Sequence, residues 1–73
     1  MTLQQIRYCL TIAETGSMNR AAEQLYVTQP ALTGAIQELE QEVGVTIFNR
    51  STRGVTLTNE GRRFLHYARQ IYQ

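Results

Sequence analysis

Apolar residues recur at helical spacing in four parts of the chain, and the most regular of these runs from Thr28 to Val43. Thr28 is a suitable N-cap, Pro30 falls in the first turn, where its missing N–H is not needed, and Gly44 is the residue type that often ends a helix. The pattern therefore predicts a helix over this stretch. Its buried face would consist of Leu32, Ala35, Ile36, Leu39 and Val43.

The opposite face of this helix changes character along its length. Its first half carries uncharged polar side chains at Gln29, Thr33 and Gln37, whereas three glutamates lie between positions 38 and 42. A helix whose first turns approach a polyanion would keep carboxylates out of those turns, and this helix does. The pattern predicts a DNA recognition helix whose acidic end points away from the duplex.

The first predicted helix starts with a capping box formed by Thr2 and Gln5, and it stops before Gly16. It is apolar on two sides, and a helix of that kind needs two partners. Tyr8 and Ile12 form the second apolar side, so we predict that they contact a partner outside the domain. The first side, which would face the core, consists of Leu3, Ile6, Leu10 and Ala13.

A second, short helix is predicted after Ser17, its N-cap, with Ala21, Ala22 and Leu25 on its inner face. Only about three residues connect it to the long helix, and its alanines allow another helix to cross closely. This arrangement is typical of a helix-turn-helix unit. Tyr26 stands where the turn of such a unit usually has a glycine.

After Gly44, two short runs rich in β-branched and aromatic residues, 46–50 and 55–57, flank the polar segment 51–54. This pattern predicts a two-stranded hairpin that packs its apolar residues onto the helices. Arg50 and Arg53 near its tip would make it the wing of a winged helix-turn-helix. The alternative is that both arginines are solvated turn residues, and the position of the hairpin directly after the recognition-type helix favours the wing.

Thr58 is the predicted N-cap of a last helix, which carries an apolar stripe and reaches Gln73 without a residue that would end it. This predicts a fragment of a longer protein. An apolar stripe on a helix that packs only partly onto a small core needs a partner, most simply a second copy of the chain. With Tyr8 and Ile12, the predicted dimer surface consists of Phe64, Leu65, Ala68, Ile71 and Tyr72.

Composition limits these hypotheses. The chain has 73 residues, which suits one small domain, and its single cysteine, Cys9, cannot form an internal disulfide. Cys9 is expected to be a small core residue, and a lone thiol without a signal peptide suits the cytoplasm. No apolar run approaches the length of a membrane span, so no membrane partner is expected.

The net charge of +1 is unevenly distributed along the chain. Residues 1–46 hold two arginines and five glutamates, a net charge of −3, whereas residues 47–73 hold five arginines and one glutamate, a net charge of +4. Every basic residue is arginine, whose planar guanidinium suits phosphate and guanine edges. This favours a nucleic-acid partner, with a solvated charged surface as the alternative.

Motifs of catalysis and metal binding are not found in the sequence. His66 has no second ligand at metal-binding spacing, and no glycine-rich phosphate loop or nucleophile motif is present. The four tyrosines are too scattered to form a platform for single-stranded bases. We therefore predict a protein that is not an enzyme and has no cofactor.

Together these segments resemble the LysR-type transcriptional regulators. The resemblance covers essentially the whole chain and rests on GSMNRAAEQL at 16–25, VTQPALT at 27–33, and IFNR and RGVTLT within 47–58. It implies a mainly α winged helix-turn-helix domain at 1–57 and the start of a linker and dimerisation helix at 58–73. On this resemblance, the effector-binding domain of full-length members would lie outside this fragment. The partners implied are promoter DNA and a second copy of the chain, with a tetramer as the alternative assembly at full length. A small-molecule effector would act only through the missing domain.

The resemblance also implies roles for residues at the start of the recognition helix. Gln29, Pro30 and Thr33 would face base edges and sugars in the major groove, and Gln29 could pair with an adenine through two hydrogen bonds. Pro30 or Ala31 would touch a thymine methyl group. Thr28, by capping the helix, would direct its first N–H groups towards a phosphate.

In the wing, the resemblance implies that Arg50 and Arg53 reach the DNA backbone or the adjacent minor groove. One position departs from the family, which commonly has arginine or lysine where this chain has Gly34. Either another residue replaces that phosphate contact, or the DNA approaches more closely at Gly34.

A second hypothesis is a winged-helix module for protein interaction or dimerisation that does not bind DNA. The low net charge and Gly34 favour it modestly. It predicts self-association without salt-dependent affinity for nucleic acid.

Overall fold

The computed structural model describes residues 1–72; Gln73, which ends the predicted last helix, lies outside the described residues. Within them the chain forms four helices and one two-stranded sheet. None of these helices is both long enough and apolar enough to cross a membrane. In chain order the elements are α1 (Leu3–Thr15), α2 (Met18–Leu25), α3 (Gln29–Val43), β1 (Phe48–Ser51), β2 (Gly54–Leu57) and α4 (Asn59–Tyr72).

Polar caps start the helices at the predicted positions. The Thr2 hydroxyl accepts a hydrogen bond from the Gln5 N–H at 3.0 Å, and the Gln5 side chain accepts one from the Thr2 N–H, so the predicted capping box is present. Ser17 and Thr28 cap α2 and α3 in the same way, each accepting from a backbone N–H at 3.2 Å. Gly16 and Gly44 take left-handed conformations that end α1 and α3.

The core lies around α1, which packs against α2, α3, α4 and β2. Leu32, Ile36 and Leu39 of α3 are buried as predicted, and Ala35 and Val43 are half-buried. Cys9 is fully buried in this core. Burial raises the pKa of its thiol to about 12, with a smaller contribution from the negative charge of Glu40.

Four residues assigned to the dimer surface lie instead in the core of the domain itself. Ile12 and Leu65 are 0% exposed, Ala68 is 1% exposed and Tyr8 is 8% exposed. The two apolar sides of α1 both find partners inside the domain, because α4 and β2 pack on α1 in addition to α2 and α3. The prediction that these four side chains face a second copy is therefore wrong.

The predicted hairpin is present as an antiparallel pair in which Phe48 lies opposite Leu57 and Ser51 lies opposite Gly54. Phe48 is buried, whereas Arg50 and Arg53 are exposed. The hairpin is held on the α1–α2 connection because the Val55 N–H donates to the Gly16 carbonyl at 3.0 Å. Gly54 approaches so closely that a Cβ there would lie 2.7 Å from the Gly16 oxygen.

The sequence pattern grouped Glu40 with two other glutamates in a solvent-facing acidic cluster. The structure does not place Glu40 in such a cluster. Glu40 is half-buried, and one of its carboxylate oxygens accepts from the N–H groups of Ile47 at 2.7 Å and Phe48 at 3.2 Å. This carboxylate therefore joins α3 to the start of β1. Glu42, farther along the helix, forms an ion pair with the amino group of Met1.

Thr58 caps α4 as predicted, since its hydroxyl accepts from the Gly61 N–H at 2.8 Å. The Thr58 N–H donates to the Ile47 carbonyl at 3.0 Å, which ties the start of α4 to β1. Gly61 packs directly on that same carbonyl, and a Cβ at this position would collide with it. These contacts determine where α4 leaves the hairpin.

Candidate nucleic-acid interface

The N-terminal end of α3 is exposed and uncharged in its side chains. Thr28, Gln29, Pro30 and Ala31 are all exposed, and no acidic residue lies in the first turn. The first turn of a helix presents backbone N–H groups and a partial positive charge. This end of the helix can therefore receive an anion or the polar edges of bases.

Farther along α3, Thr33 and Gln37 follow Gln29 at intervals of four residues, so all three lie along one side of the helix. Gln37 is exposed, whereas Thr33 is half-buried. The Thr33 hydroxyl therefore extends less far from the helix than the side-chain amides of Gln29 and Gln37 do. Gly34 is exposed beside this row, and a Cβ built there meets no atom within 4 Å. The structure thus leaves open space at the position where the family commonly has a basic residue.

A groove separates the start of α3 from the hairpin. Its lining includes Gln29 from α3, Arg50 and Arg53 from the hairpin, and Arg20 from the first turn of α2. Three arginines from two distant parts of the sequence therefore share one concave surface with the first residue of the recognition-type helix. We call this surface the arginine groove; segment 15–19 also lines it.

Arg20 was not among the predicted site residues. It is exposed and follows the Ser17 cap by three residues, so its backbone N–H is the one that Ser17 binds. The sequence offered one signal for Arg20: it is a basic residue in the first turn of the helix that precedes the recognition-type helix. The sequence alone could not show that the hairpin folds back towards this turn.

Local hydrogen bonds hold the hairpin tip and the α1–α2 connection in place. The Ser51 hydroxyl accepts from the Arg53 N–H at 3.2 Å and donates to the Gly54 carbonyl at 3.3 Å, which shapes the tip that carries Arg53. The Thr15 hydroxyl donates to the Ser17 carbonyl at 3.1 Å on the other side of the groove. Both walls of the arginine groove are thus built from hydrogen-bonded backbone.

The arginines of the groove carry positive charge that no carboxylate offsets by direct contact. Within residues 1–72, the salt bridge that forms joins Met1 to Glu42 and involves no arginine. Glu38 and Glu42 lie towards the opposite end of α3 from Gln29. The groove and the start of α3 can therefore present an unneutralised basic surface to a polyanion.

The remaining predicted dimer residues lie on α4. Ile71 is 54% exposed and Tyr72 is 44% exposed, while Phe64 is half-buried against the core. Tyr67, which the prediction did not include, is also exposed on this helix. The structure leaves these apolar side chains available at the surface, in contrast to Leu65 and Ala68.

Metal-binding clusters are not found in the part of the chain that the structure describes: no group of three or more His, Cys, Asp or Glu side chains could hold an ion there. His66 is exposed, lies 3.4 Å from the Gln70 side-chain nitrogen and stacks edge-on against Tyr67.

Comparison with known families gives a match over most of the chain. A family model described as "Bacterial regulatory helix-turn-helix protein, lysR family" matches residues 3–62. This stretch contains α1, α2, α3, the hairpin and the first residues of α4.

Several curated proteins are similar to the chain over nearly its full length. It is 45% identical over 71 residues to the HTH-type transcriptional regulator ClcR of Pseudomonas putida, covering 97% of the chain and 24% of ClcR. It is 42% identical over 71 residues to TfdT of Cupriavidus pinatubonensis, covering 97% of the chain and 31% of TfdT. The chain thus spans about a quarter to a third of the length of these relatives, which are transcriptional regulators.

Solved structures include domains of the same shape in complex with DNA. The DNA-binding domain of CbnR, solved as a DNA complex, is 44% identical and superposes with a TM-score of 0.93 over 97% of this chain and 82% of that one. The BenM DNA-binding domain, solved with benA site 1 DNA, is 38% identical with a TM-score of 0.91, over 97% and 80% of the two chains. These neighbours are winged-helix domains, as the sequence pattern predicted for this chain.

Proposed function

Because the chain belongs to the lysR family of bacterial regulatory helix-turn-helix proteins, we propose that it reads double-stranded DNA sequence-specifically for a transcriptional regulator. The observation that carries this proposal is the exposed, carboxylate-free start of α3 beside the arginine groove. The fold supports it, since domains that superpose at TM-scores of 0.91 and 0.93 have been solved with DNA.

In the proposed complex, the first turns of α3 enter the major groove. The Gln29 amide can donate to N7 and accept from N6 of one adenine, a pairing that distinguishes bases. Pro30 and Ala31 are exposed beside it and offer apolar contact to a thymine methyl group. Thr33, being half-buried, is suited to a sugar or phosphate near the helix, and Gln37 would contact the groove edge.

The arginine groove supplies the sequence-independent part of the binding. Arg50 and Arg53 would contact phosphates or the adjacent minor groove, and Arg20 would contact a phosphate from the other wall. Thr28 fixes the first turn of α3, whose N–H groups favour a phosphate. Affinity would therefore depend strongly on salt, because each neutralised phosphate releases counterions.

We further propose that two copies bind together through α4, each reading one half of a two-fold site. The exposed Ile71 and Tyr72, together with the half-buried Phe64, are the residues that support this. The same proposal includes a linker and dimerisation role for segment 58–73, a tetramer at full length, an effector bound through the rest of the protein and a cytoplasmic location. It includes no catalytic role.

Gel-shift titration against DNA sites that the 73-residue parent selects from a random pool tests the proposal. Gln29→Ala should lose about 1–3 kcal/mol of discrimination between the selected site and random DNA. Arg53→Ala should weaken binding to every sequence alike and reduce the salt slope by about one. Gln41→Ala is the matched control, since Gln41 is an exposed amide on the same helix about 18 Å along the axis.

If the Gln29 and Arg53 variants both bound like the parent, this docking arrangement would be wrong. A parent chain without salt-dependent affinity for any duplex would favour the interaction module instead.

A further inference from the structure

Tyr26 forms the turn between α2 and α3 in a left-handed conformation, with φ 58° and ψ 41°. Its N–H donates to the Glu23 carbonyl at 3.2 Å, and the Val27 N–H donates to the Ala22 carbonyl at 3.1 Å. These two bonds define a Schellman turn, in which the left-handed position is usually glycine. Within residues 1–72, Tyr26 is the one residue other than glycine that has a positive φ.

The side chain of Tyr26 contributes little to the fold. It is 94% exposed, far more than the other exposed tyrosines, Tyr67 at 65% and Tyr72 at 44%. A glycine would form the same turn without the crowding between Cβ and backbone that a left-handed tyrosine incurs. An exposed side chain that is kept in a strained backbone conformation indicates a role in binding.

The location of Tyr26 suggests what it binds. It precedes the Thr28 cap by two residues and Gln29 by three, so it lies at the end of α3 that enters the major groove in the proposed complex. The hydrogen-bonded turn holds its backbone firmly, and the phenol can extend from there towards the edge of the groove. Phosphates line that edge, and tyrosine hydroxyls are among the groups that contact them.

We propose that Tyr26 is a further DNA-contacting residue whose hydroxyl donates a hydrogen bond to a backbone phosphate beside the major groove. This inference rests on the proposed DNA-reading function. A neutral donor gives affinity for every sequence without releasing a counterion, so its contribution leaves the salt slope unchanged. That property separates Tyr26 from Arg53, whose removal is expected to reduce the slope.

Three variants of the chain test the proposal by gel-shift titration and thermal unfolding. Tyr26→Phe should bind both selected and random duplexes about fivefold more weakly than the parent, with the same salt slope and an unchanged Tm. Tyr26→Gly should show at least the same loss of affinity together with a higher Tm, because it relieves the strained turn. Gln41→Ala, which removes an exposed polar group from the far part of α3, is the control and should bind like the parent.

Parent-like affinity of Tyr26→Phe would overturn the proposal, and a lower Tm of Tyr26→Gly would overturn its premise that the ring does not serve the fold. In either case, the DNA-reading function would still be supported if Gln29→Ala lost its preference for the selected site. A failure of the proposed function is a separate outcome, recognised by a parent chain that binds no duplex in a salt-dependent way.

Discussion

In the proposed complex, single residues at the start of α3 would determine which bases this surface reads. The side-chain amide of Gln29 provides a hydrogen-bond donor and an acceptor on a rigid helix. Gly34 has no side chain and leaves open space beside the helix. The family resemblance left two explanations for Gly34, a substitute contact elsewhere or a closer approach of DNA. In the first explanation, Arg20 is the candidate for the substitute contact, because it lies in the groove that contains both wing arginines.

Gly34 provides a testable prediction at the scale of a single residue. Gly34→Ala should raise the free energy of unfolding by about 1 kcal/mol, since glycine is a poor helix former and the new Cβ meets no neighbour. That gain corresponds to a rise in Tm of about 4–8 °C, measurable by circular dichroism. Gly34→Arg should bind DNA more tightly than Gly34→Ala and steepen the salt slope by about one.

Gly34→Glu is the control with the opposite charge. It should share the gain in helix stability but weaken DNA binding, because a carboxylate would then face the phosphates. If Gly34→Arg bound more weakly than Gly34→Ala, the DNA backbone would approach too closely for a side chain, and the second explanation would be correct.

At the scale of elements, the hairpin is positioned by contacts with α3 and with the α1–α2 connection. The Glu40 carboxylate receives two N–H groups at the start of β1, and the Gly16 carbonyl receives the Val55 N–H from β2. The wing is therefore held from both sides, and the distance between α3 and the wing arginines depends on these contacts.

Glu40→Ala should lower the free energy of unfolding by about 1–3 kcal/mol, because the Ile47 and Phe48 N–H groups would lose their partner in a part-buried place. Urea unfolding followed by circular dichroism measures this change. The same variant should also weaken DNA binding, since the wing would lose one of its anchors. Glu38→Ala, at an exposed position on the same helix, should change stability by less than about 0.5 kcal/mol. Equal stabilities of the two variants would refute the bridging role of Glu40.

Elements whose signals are local could be predicted from the sequence. The caps at Thr2, Ser17, Thr28 and Thr58 each act within three residues, so the helix starts were correct. Glu40 could not be recognised in this way, because its partners follow seven and eight residues later, after the chain reverses beyond Gly44. Arg20 was missed for the same reason, as only the folded hairpin brings it near Arg53.

At the scale of the whole molecule, the groove arginines are separated from two of the glutamates of α3. The arginine groove lies at one end of α3, and Glu38 and Glu42 lie towards the other, within a domain that measures 24 × 23 × 20 Å. A net charge of +1 therefore understates the attraction of the groove for a polyanion. This arrangement would orient the domain as it approaches DNA, with the start of α3 leading.

The dimer surface also depends on the packing of the whole molecule. Here the sequence pattern led to a wrong assignment of some residues. Tyr8 and Ile12 have the spacing of a second apolar face, but whether that face meets another copy or α4 depends on the packing of the whole chain. The candidates that remain lie on α4: Ile71, Tyr72 and the half-buried Phe64. Ile71 is the most exposed of these.

Ile71→Glu should therefore weaken self-association at least about tenfold, because it would place a charge in an apolar contact. Sedimentation at a series of concentrations measures this change, with Gln70→Glu as a control that adds the same charge at the neighbouring exposed position. The Tm at low concentration should stay unchanged, since Ile71 lies outside the core of the domain. On DNA, binding to a two-fold site should weaken while binding to a single half-site is retained. An unchanged mass for Ile71→Glu would rule out this face of α4 as the dimer contact.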